Sequence, residues 1–344
     1  MPSRVAINGF GRIGRAVLRS AIERESELDF VAVNDVADAD TLAHLLTLDS
    51  VYGRFPHRVR VENEAIVVAG RRIAVLAERD PRALPWGELG ADVVIEATGR
   101  FRTRADAALH IEAGARKVIL SAPAKGPEPV DANLMLGVNF DDVYDPAHHH
   151  IVSNASCTTN CLAAVAKVVH DTVGIRHGLM TTIHAYTADQ RLLDAPHKDL
   201  RRARAAGVNL VPTSTGAATA LGLVIPELEG RLNGYAVRVP IPTGSLVDLT
   251  VEAERDTTVA EINAAFAERS AGGPLAGILA YSEEPIVSTD IVKSPFSAIF
   301  DAPLTAVVDR TQVKVVAWYD NEWGYATRLV ELAARVLAPV PAAA

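Results

Sequence analysis

The stretch SNASCTTNC, Ser153 to Cys161, holds both cysteines of the 344-residue chain, four positions apart. A disulfide, a metal site, a pair of inert core thiols and a nucleophile all compete for such a pair. Ile151 to Ser153 reads as a strand and CLAAVAKVVH as a helix, so Cys157 falls at or near a helix N-terminus. Unpaired N–H groups and the helix dipole favour a thiolate there, where cysteine pKa values drop from about 8.5 to between about 3.5 and 7.5. Cys161 lies one turn deeper on the same face, and side chains so arranged make a poor disulfide without unwinding the helix. CTTNC offers too few ligands for a metal, so no metal site is expected. The favoured reading is a nucleophilic Cys157 with Cys161 as a buried neighbour.

A thiolate nucleophile needs a proton partner. Ten histidines leave spacing alone unable to choose one, but TTIHAYT places His184 near the end of an apolar strand, aimed as a cleft residue would be. The run His148 to His150 reads as a solvated turn rather than a metal site, because neighbours on an extended run point to alternate faces.

A second constellation lies at the N-terminus. Gly9, Gly11 and Gly14 fit G-x-G-x-x-G between the apolar run Val5 to Asn8 and a helical pattern through Val17, Leu18 and Ile22. The first glycine allows the tight turn, the second lets backbone approach a pyrophosphate, and the third lets helix and strand pack closely. The helix N-terminus offers its free N–H groups to phosphate. A second strand, Phe30 to Asn34, is closed by Asp35, 21 residues past Gly14. A carboxylate there hydrogen-bonds a ribose 2′-hydroxyl and repels a 2′-phosphate, so NAD is favoured over NADP.

The elements that must position these residues fall into two regions. Further strand runs at Asp92 to Ala97, Lys117 to Leu120 and Ile151 to Ser153, alternating with helices, indicate a parallel sheet. Beyond about residue 155, longer alternating strands appear in LMTTIHAYT, GYAVRVPIP, SLVDLTVEAE and QVKVVAWY, with helices such as TVAEINAAFAERS between them. The fold class is α/β: a Rossmann-type, doubly wound parallel sheet in 1–155, then an α+β catalytic domain with a mixed or antiparallel sheet in 156–320. The segment 321–344 contains a last helix, about Asn321 to Leu337, returning to the first domain, and a frayed tail APVPAAA.

Composition agrees with a soluble globular protein: 49% of residues are apolar and 22% charged. A net charge of −8 disfavours nucleic acid or an anionic membrane as the main partner. No export signal opens the sequence, no apolar run approaches the roughly 20 residues of a membrane helix, and two cysteines form no disulfide framework, so a cytoplasmic home is expected.

The motifs NGFGRIGR, VND, DSVYGRF, ERDP, SAPAK, SNASCTTNC, HAYTADQ, PHKDLRRARAA, PTSTGAA, RVPIPTGS and WYDNEWGY together make the chain similar to one family, the phosphorylating, NAD-dependent glyceraldehyde-3-phosphate dehydrogenases of bacterial type. The resemblance implies Cys157 as nucleophile and His184 as its base. It implies that Arg12, Ile13, Asp35, Arg79, Ser121 and Asn321 contact NAD, with Asn321 on the nicotinamide amide. Ser156, Cys157, Thr158, Thr187, Arg202, Thr215, Gly216 and Arg238 would hold the phosphate of glyceraldehyde 3-phosphate and inorganic phosphate, a chemistry that arginine forks and hydroxyls suit. Residues 186–208 would form the S-loop, close to a neighbour's cofactor in a homotetramer. The chain departs from the family at Thr219, where a lysine is usual, at Val36 and Ala37, which replace a frequent Leu-Thr, and at Ala164, which replaces a frequent proline. Erythrose-4-phosphate dehydrogenase is the nearest rival, but its members usually lose the HAYT and STGAA patterns present here. A non-catalytic NAD-binding or redox-sensing role is the other alternative.

Overall fold

The computed structural model describes residues 3–338, which form two compact units. Residues 339–344 of the expected frayed tail lie outside the described residues. One unit comprises 3–134, 142–155 and 326–338; the other comprises 135–141 and 156–325.

The first unit is built on a nine-stranded sheet in the order Ala132–Asn133, Ile151–Ser153, Lys117–Leu120, Val93–Glu96, Arg4–Asn8, Asp29–Asn34, Arg71–Leu76, Ala65–Val68 and Val59–Val61. The first seven strands are parallel, Ala65–Val68 pairs antiparallel to the seventh, and Val59–Val61 pairs antiparallel to Ala65–Val68. Parallel strands covered on both faces read as continuous apolar runs; Val93–Glu96 and Lys117–Leu120 are accordingly buried at every position. The chain leaves Arg4–Asn8 through the helix Arg12–Glu23 to the strand on one side and later enters Val93–Glu96 on the other. That reversal of strand order opens a crevice at the carboxyl ends of the strands, where dinucleotides bind. Beneath it lies a satisfied buried polar network. Trp86 Nε1–H donates to His110 Nδ1 at 3.0 Å, His110 Nε2 meets Glu96 at 3.1 Å, and Asn8 Nδ2 donates to Glu96 at 2.6 Å.

The second unit contains a mixed sheet in the order Val211–Ser214, Leu232–Val239, Ile175–Ala185, Ser245–Ala253, Gln312–Tyr319, Ala298–Asp301 and Leu279–Ser282, with Ala306–Val308 added beside Gln312–Tyr319. Strict alternation along Ser245–Ala253 buries Ser245, Val247, Leu249, Val251 and Ala253 on one face. The 17-residue helix Cys157–Val173 packs there, with Cys161 fully buried and its Sγ 3.8 Å from the Ala317 carbonyl. The final helix spans Trp323–Arg335, shorter than expected at its start. Asp320 is responsible: its carboxylate accepts the N–H groups of Glu322 and Trp323, at 3.0 and 2.9 Å, in a turn that precedes the helix.

Candidate active site

In the first unit, a cleft of about 490 Å³ is walled by Gly9, Gly11, Asp35 and Arg79, with Asn8, Asn34, Glu78, Thr98, Arg100 and Phe101 added. The three glycines divide their work. Gly9 has φ +95, and a Cβ there would lie 2.6 Å from the Thr98 nitrogen. A Cβ on Gly14 would lie 2.2 Å from the Gly9 carbonyl oxygen. Gly11 differs, because a Cβ there meets nothing within 4 Å. Packing among the described residues therefore does not require a bare position there, and the space is open to a close approach such as a pyrophosphate makes. Asp35 Oδ2 accepts the Phe10 N–H at 2.8 Å, which fixes the carboxylate at the cleft's edge.

Other predicted cofactor contacts stand differently. The Arg12 guanidinium is paired with Asp49 and lies 5.5 Å over the Tyr52 ring. Ile13 is half-buried on the first turn of its helix. Ser121 follows a buried strand, and its N–H donates to the Glu96 carbonyl at 3.0 Å. Asn321, in the second unit, is buried and directs Oδ1 toward the Ser245 hydroxyl at 2.9 Å.

Cys157 is the first residue of its helix, and Ser156 caps it by accepting the Thr159 N–H at 3.0 Å. The sulfur lies 3.5 Å from His184 Nε2. His184 is 4% exposed, near the end of Ile175–Ala185, and pairs in register with Arg238 on the adjacent parallel strand. Arg238 Nη1 is 2.7 Å from His184 Nδ1 and donates to the Ala185 carbonyl at 3.1 Å; the same carbonyl is 2.7 Å from Nδ1. Arg238 Nε is buried with no hydrogen-bond partner among the described residues.

Electrostatically, the pair differs from the expectation of a lowered thiol pKa. Burial pushes Cys157 up, more than the opposing Arg238 charge and the Thr158 hydroxyl and N–H bring it down. Burial, reinforced by Arg238, pulls His184 down to about 3. At neutral pH the resting pair is therefore a thiol beside a neutral imidazole. The helix N-terminus favours the thiolate, but here desolvation is the larger effect. Cys161 is pushed well up by burial, the position of an inert core thiol.

The remaining predicted anion residues are engaged with partners sequence reasoning missed. Thr187 donates to Asp189, and Arg202 Nη1 pairs with Asp189 at 2.5 Å while its Nε donates to the Thr213 hydroxyl at 2.9 Å. Burial opposes ionisation of Asp189, yet the Thr187 hydroxyl and the charges of Arg202 and Arg238 hold its carboxyl below the usual range. Thr158 turns its hydroxyl to the Tyr319 phenol at 2.8 Å, and Tyr319 also meets Thr182 at 2.9 Å. Thr215 accepts the Ala217 N–H at 3.2 Å, beside Gly216 and the exposed Thr219. Asp189 and Tyr319 both lie inside quoted motifs, but nothing in their spacing indicated which side chains they would join.

Among the described residues, no group of three or more His, Cys, Asp or Glu side chains is placed to hold a metal, and no helix is long and apolar enough to cross a membrane. His148 instead caps a turn through Asp145, at 2.7 Å.

Comparison with known proteins points the same way as the two sites. Residues 3–104 match the family model described as the NAD binding domain of glyceraldehyde 3-phosphate dehydrogenase, and residues 156–321 match its C-terminal domain. The chain is 60% identical to glyceraldehyde-3-phosphate dehydrogenase 1 of Streptomyces avermitilis over 333 residues, 97% of this chain and 98% of that one. It is 58% identical to the Geobacillus stearothermophilus enzyme over 98% of both chains, and 57% identical to that of Mycobacterium avium over 98% of this chain and 99% of the other. A cysteine–histidine pair beside a half-buried arginine, a glycine-lined nucleotide cleft and near-complete alignment agree: the chain belongs to the glyceraldehyde-3-phosphate dehydrogenase family.

Proposed function

We propose that this chain oxidises and phosphorylates D-glyceraldehyde 3-phosphate to 1,3-bisphosphoglycerate, with Cys157 as nucleophile and His184 as its base. The single observation that carries the reading is the 3.5 Å approach of Cys157 Sγ to His184 Nε2 beside Arg238, whose buried Nε has no partner among the described residues. Cys157 sulfur adds to the aldehyde carbon as its proton passes to His184, and His184 hands that proton on to the carbonyl oxygen to give a thiohemiacetal. His184 then removes the hydroxyl proton as the carbon is oxidised, leaving a thioester on Cys157. Bound NAD supplies the two-electron acceptor for that oxidation. Inorganic phosphate attacks the thioester carbonyl, the acyl–sulfur bond breaks, and Cys157 is regenerated. To act as base, His184 must carry its resting proton on Nδ1, where the Ala185 carbonyl accepts it.

Arg238 suits the substrate phosphate because its buried Nε lacks a partner among the described residues and an anion would satisfy it. With Thr187, Arg202, Thr215, Gly216 and the Ser156–Thr158 helix start, it forms the proposed anion set. Gly9, Gly11, Arg12, Ile13, Gly14, Asp35, Arg79, Ser121 and Asn321 form the proposed NAD set, Arg12 and Ile13 through their backbone at the helix start. The same reading makes 1–155 the cofactor domain and 156–320 the catalytic domain. The segment from 321, through its helix Trp323–Arg335, then returns to the first, a return supported by Thr327 Oγ1 lying 3.0 Å from Ser20 Oγ and by Tyr144 donating to the Val336 carbonyl at 2.7 Å.

A homotetramer is part of the proposal. The proposed S-loop exposes Leu192 at 86%, Leu193 at 75%, Leu200 at 81% and Val208 at 80%, a density of bare apolar side chains that supports an interface there. Two free cysteines without a disulfide fit the cytoplasm. The test is NADH formation by the purified protein with glyceraldehyde 3-phosphate and NAD, with and without inorganic phosphate. Phosphate-dependent turnover is expected; turnover indifferent to phosphate would overturn the phosphorylating assignment.

A further inference from the structure

Ser245 opens the strand Ser245–Ala253 and is completely buried. Its hydroxyl oxygen accepts the Ala185 N–H at 3.1 Å and lies 2.9 Å from Asn321 Oδ1. A backbone N–H can only donate, so the one hydroxyl proton of Ser245 is left for Asn321. A flipped amide would face it with N–H donors only and leave that buried proton without an acceptor, so the amide turns its oxygen, its sole acceptor, toward Ser245. Thr243 lies nearby but does not make this choice. Its hydroxyl is 2.9 Å from Asp320 Oδ1 and 3.4 Å from Asn321 Oδ1, so its proton goes to the carboxylate, the nearer and charged acceptor. A threonine oxygen so engaged still has a lone pair, and by itself would accept the amide nitrogen as readily as it tolerates the amide oxygen. Ser245 is the group that decides which end of Asn321 faces it.

We propose that Ser245 is a positioning residue for the nicotinamide half of NAD. By donating to Oδ1 it turns the NH₂ end of Asn321 away from itself, leaving that end to meet the carbonyl of the nicotinamide amide. The inference rests on the reading of Asn321 given above. The same hydroxyl is anchored through Ala185, whose carbonyl lies 2.7 Å from His184 Nδ1. One buried serine thus ties the orientation of the amide to the backbone segment that orients the catalytic base.

The test separates the two halves of the cofactor by calorimetric titration of the cofactor-stripped full-length protein with NAD and with ADP-ribose, which lacks nicotinamide. Ser245→Ala removes the donor, Ser245→Cys keeps nearly the same volume with a weaker donor, and Asn321→Ala serves as reference. Expected is a loss of NAD affinity of about tenfold in Ser245→Ala, the scale of one lost hydrogen bond, a smaller loss in Ser245→Cys, and unchanged ADP-ribose binding in both. Equal weakening of NAD and ADP-ribose would overturn the proposal, since a general structural defect does not distinguish them. Should Ser245→Ala bind NAD normally while Asn321→Ala does not, Ser245 fails and the reading of Asn321 stands. Should neither variant discriminate, the Asn321 reading fails and the Ser245 proposal with it.

Discussion

His184 and Arg238 stand side by side on adjacent parallel strands, with Nδ1 and Nη1 2.7 Å apart. A guanidinium this close disfavours a second charge on the ring, and burial adds to it, so His184 is pulled down to about 3. On the proposed reading, substrate phosphate bound to Arg238 would offset that charge and raise the basicity of His184, linking binding and proton transfer through one arginine.

Acid sensitivity follows from the same pair. His184 binds its proton near pH 3 in the folded chain and near 6.5 when unfolded. Between those values the unfolded state carries the extra proton, so stability present above pH 6.5 is lost as pH falls, by at most about 1.4 kcal/mol per unit. His184→Asn removes this contribution. Urea midpoints measured from pH 7 down to pH 4.5 should fall more steeply for the wild type than for the variant; parallel curves would mean that His184 titrates normally.

Cys157 is held up by burial and brought down by Arg238. Arg238→Gln should therefore raise the thiol pKa further and slow iodoacetamide alkylation of Cys157 several-fold at pH 7.5, with the rate profile displaced to higher pH. A variant alkylated at the wild-type rate would show that the arginine charge does not reach the sulfur. Cys157→Ser, by contrast, should abolish phosphate-dependent NADH formation and leave NAD binding intact.

The glycine fingerprint makes a paired prediction. Gly11 has φ −72, which alanine adopts freely, and its Cβ would meet nothing of the protein. Gly11→Ala should weaken NAD binding at least tenfold while changing stability by no more than about 0.5 kcal/mol. Gly14→Ala, whose Cβ would sit 2.2 Å from the Gly9 carbonyl oxygen, should instead lower the melting temperature. Thermal melts and NAD titrations of the two proteins distinguish the roles; two equally destabilised variants would refute the division.

Arg202 joins Asp189 to the Thr213 hydroxyl. Arg202→Gln removes both the proposed anion ligand and the main counter-charge of a carboxylate held well ionised. KM for the phosphate-bearing reactants should rise about tenfold with a smaller change in kcat, and stability should fall by about 1–3 kcal/mol. An unchanged KM would remove Arg202 from the anion set.

What the sequence determined by itself was local. A strand, three spaced glycines and a helix are read from neighbours in the chain, and so is a cysteine at a helix start, because such features depend on backbone conformation over a few residues. The family resemblance then named residues that no local signal reaches, Arg202 among them. Tertiary structure alone decided the electrostatics and the second layer of contacts. Register between Ile175–Ala185 and Leu232–Val239 sets Arg238 against His184, and burial then reverses the direction in which a helix N-terminus would move Cys157. Tyr319 reaches Thr158, 161 positions away, and Ser245 reaches Asn321, 76 positions away. Hydrogen bonds of that kind leave no periodic trace in a sequence, because they are fixed by how separate strands are laid side by side.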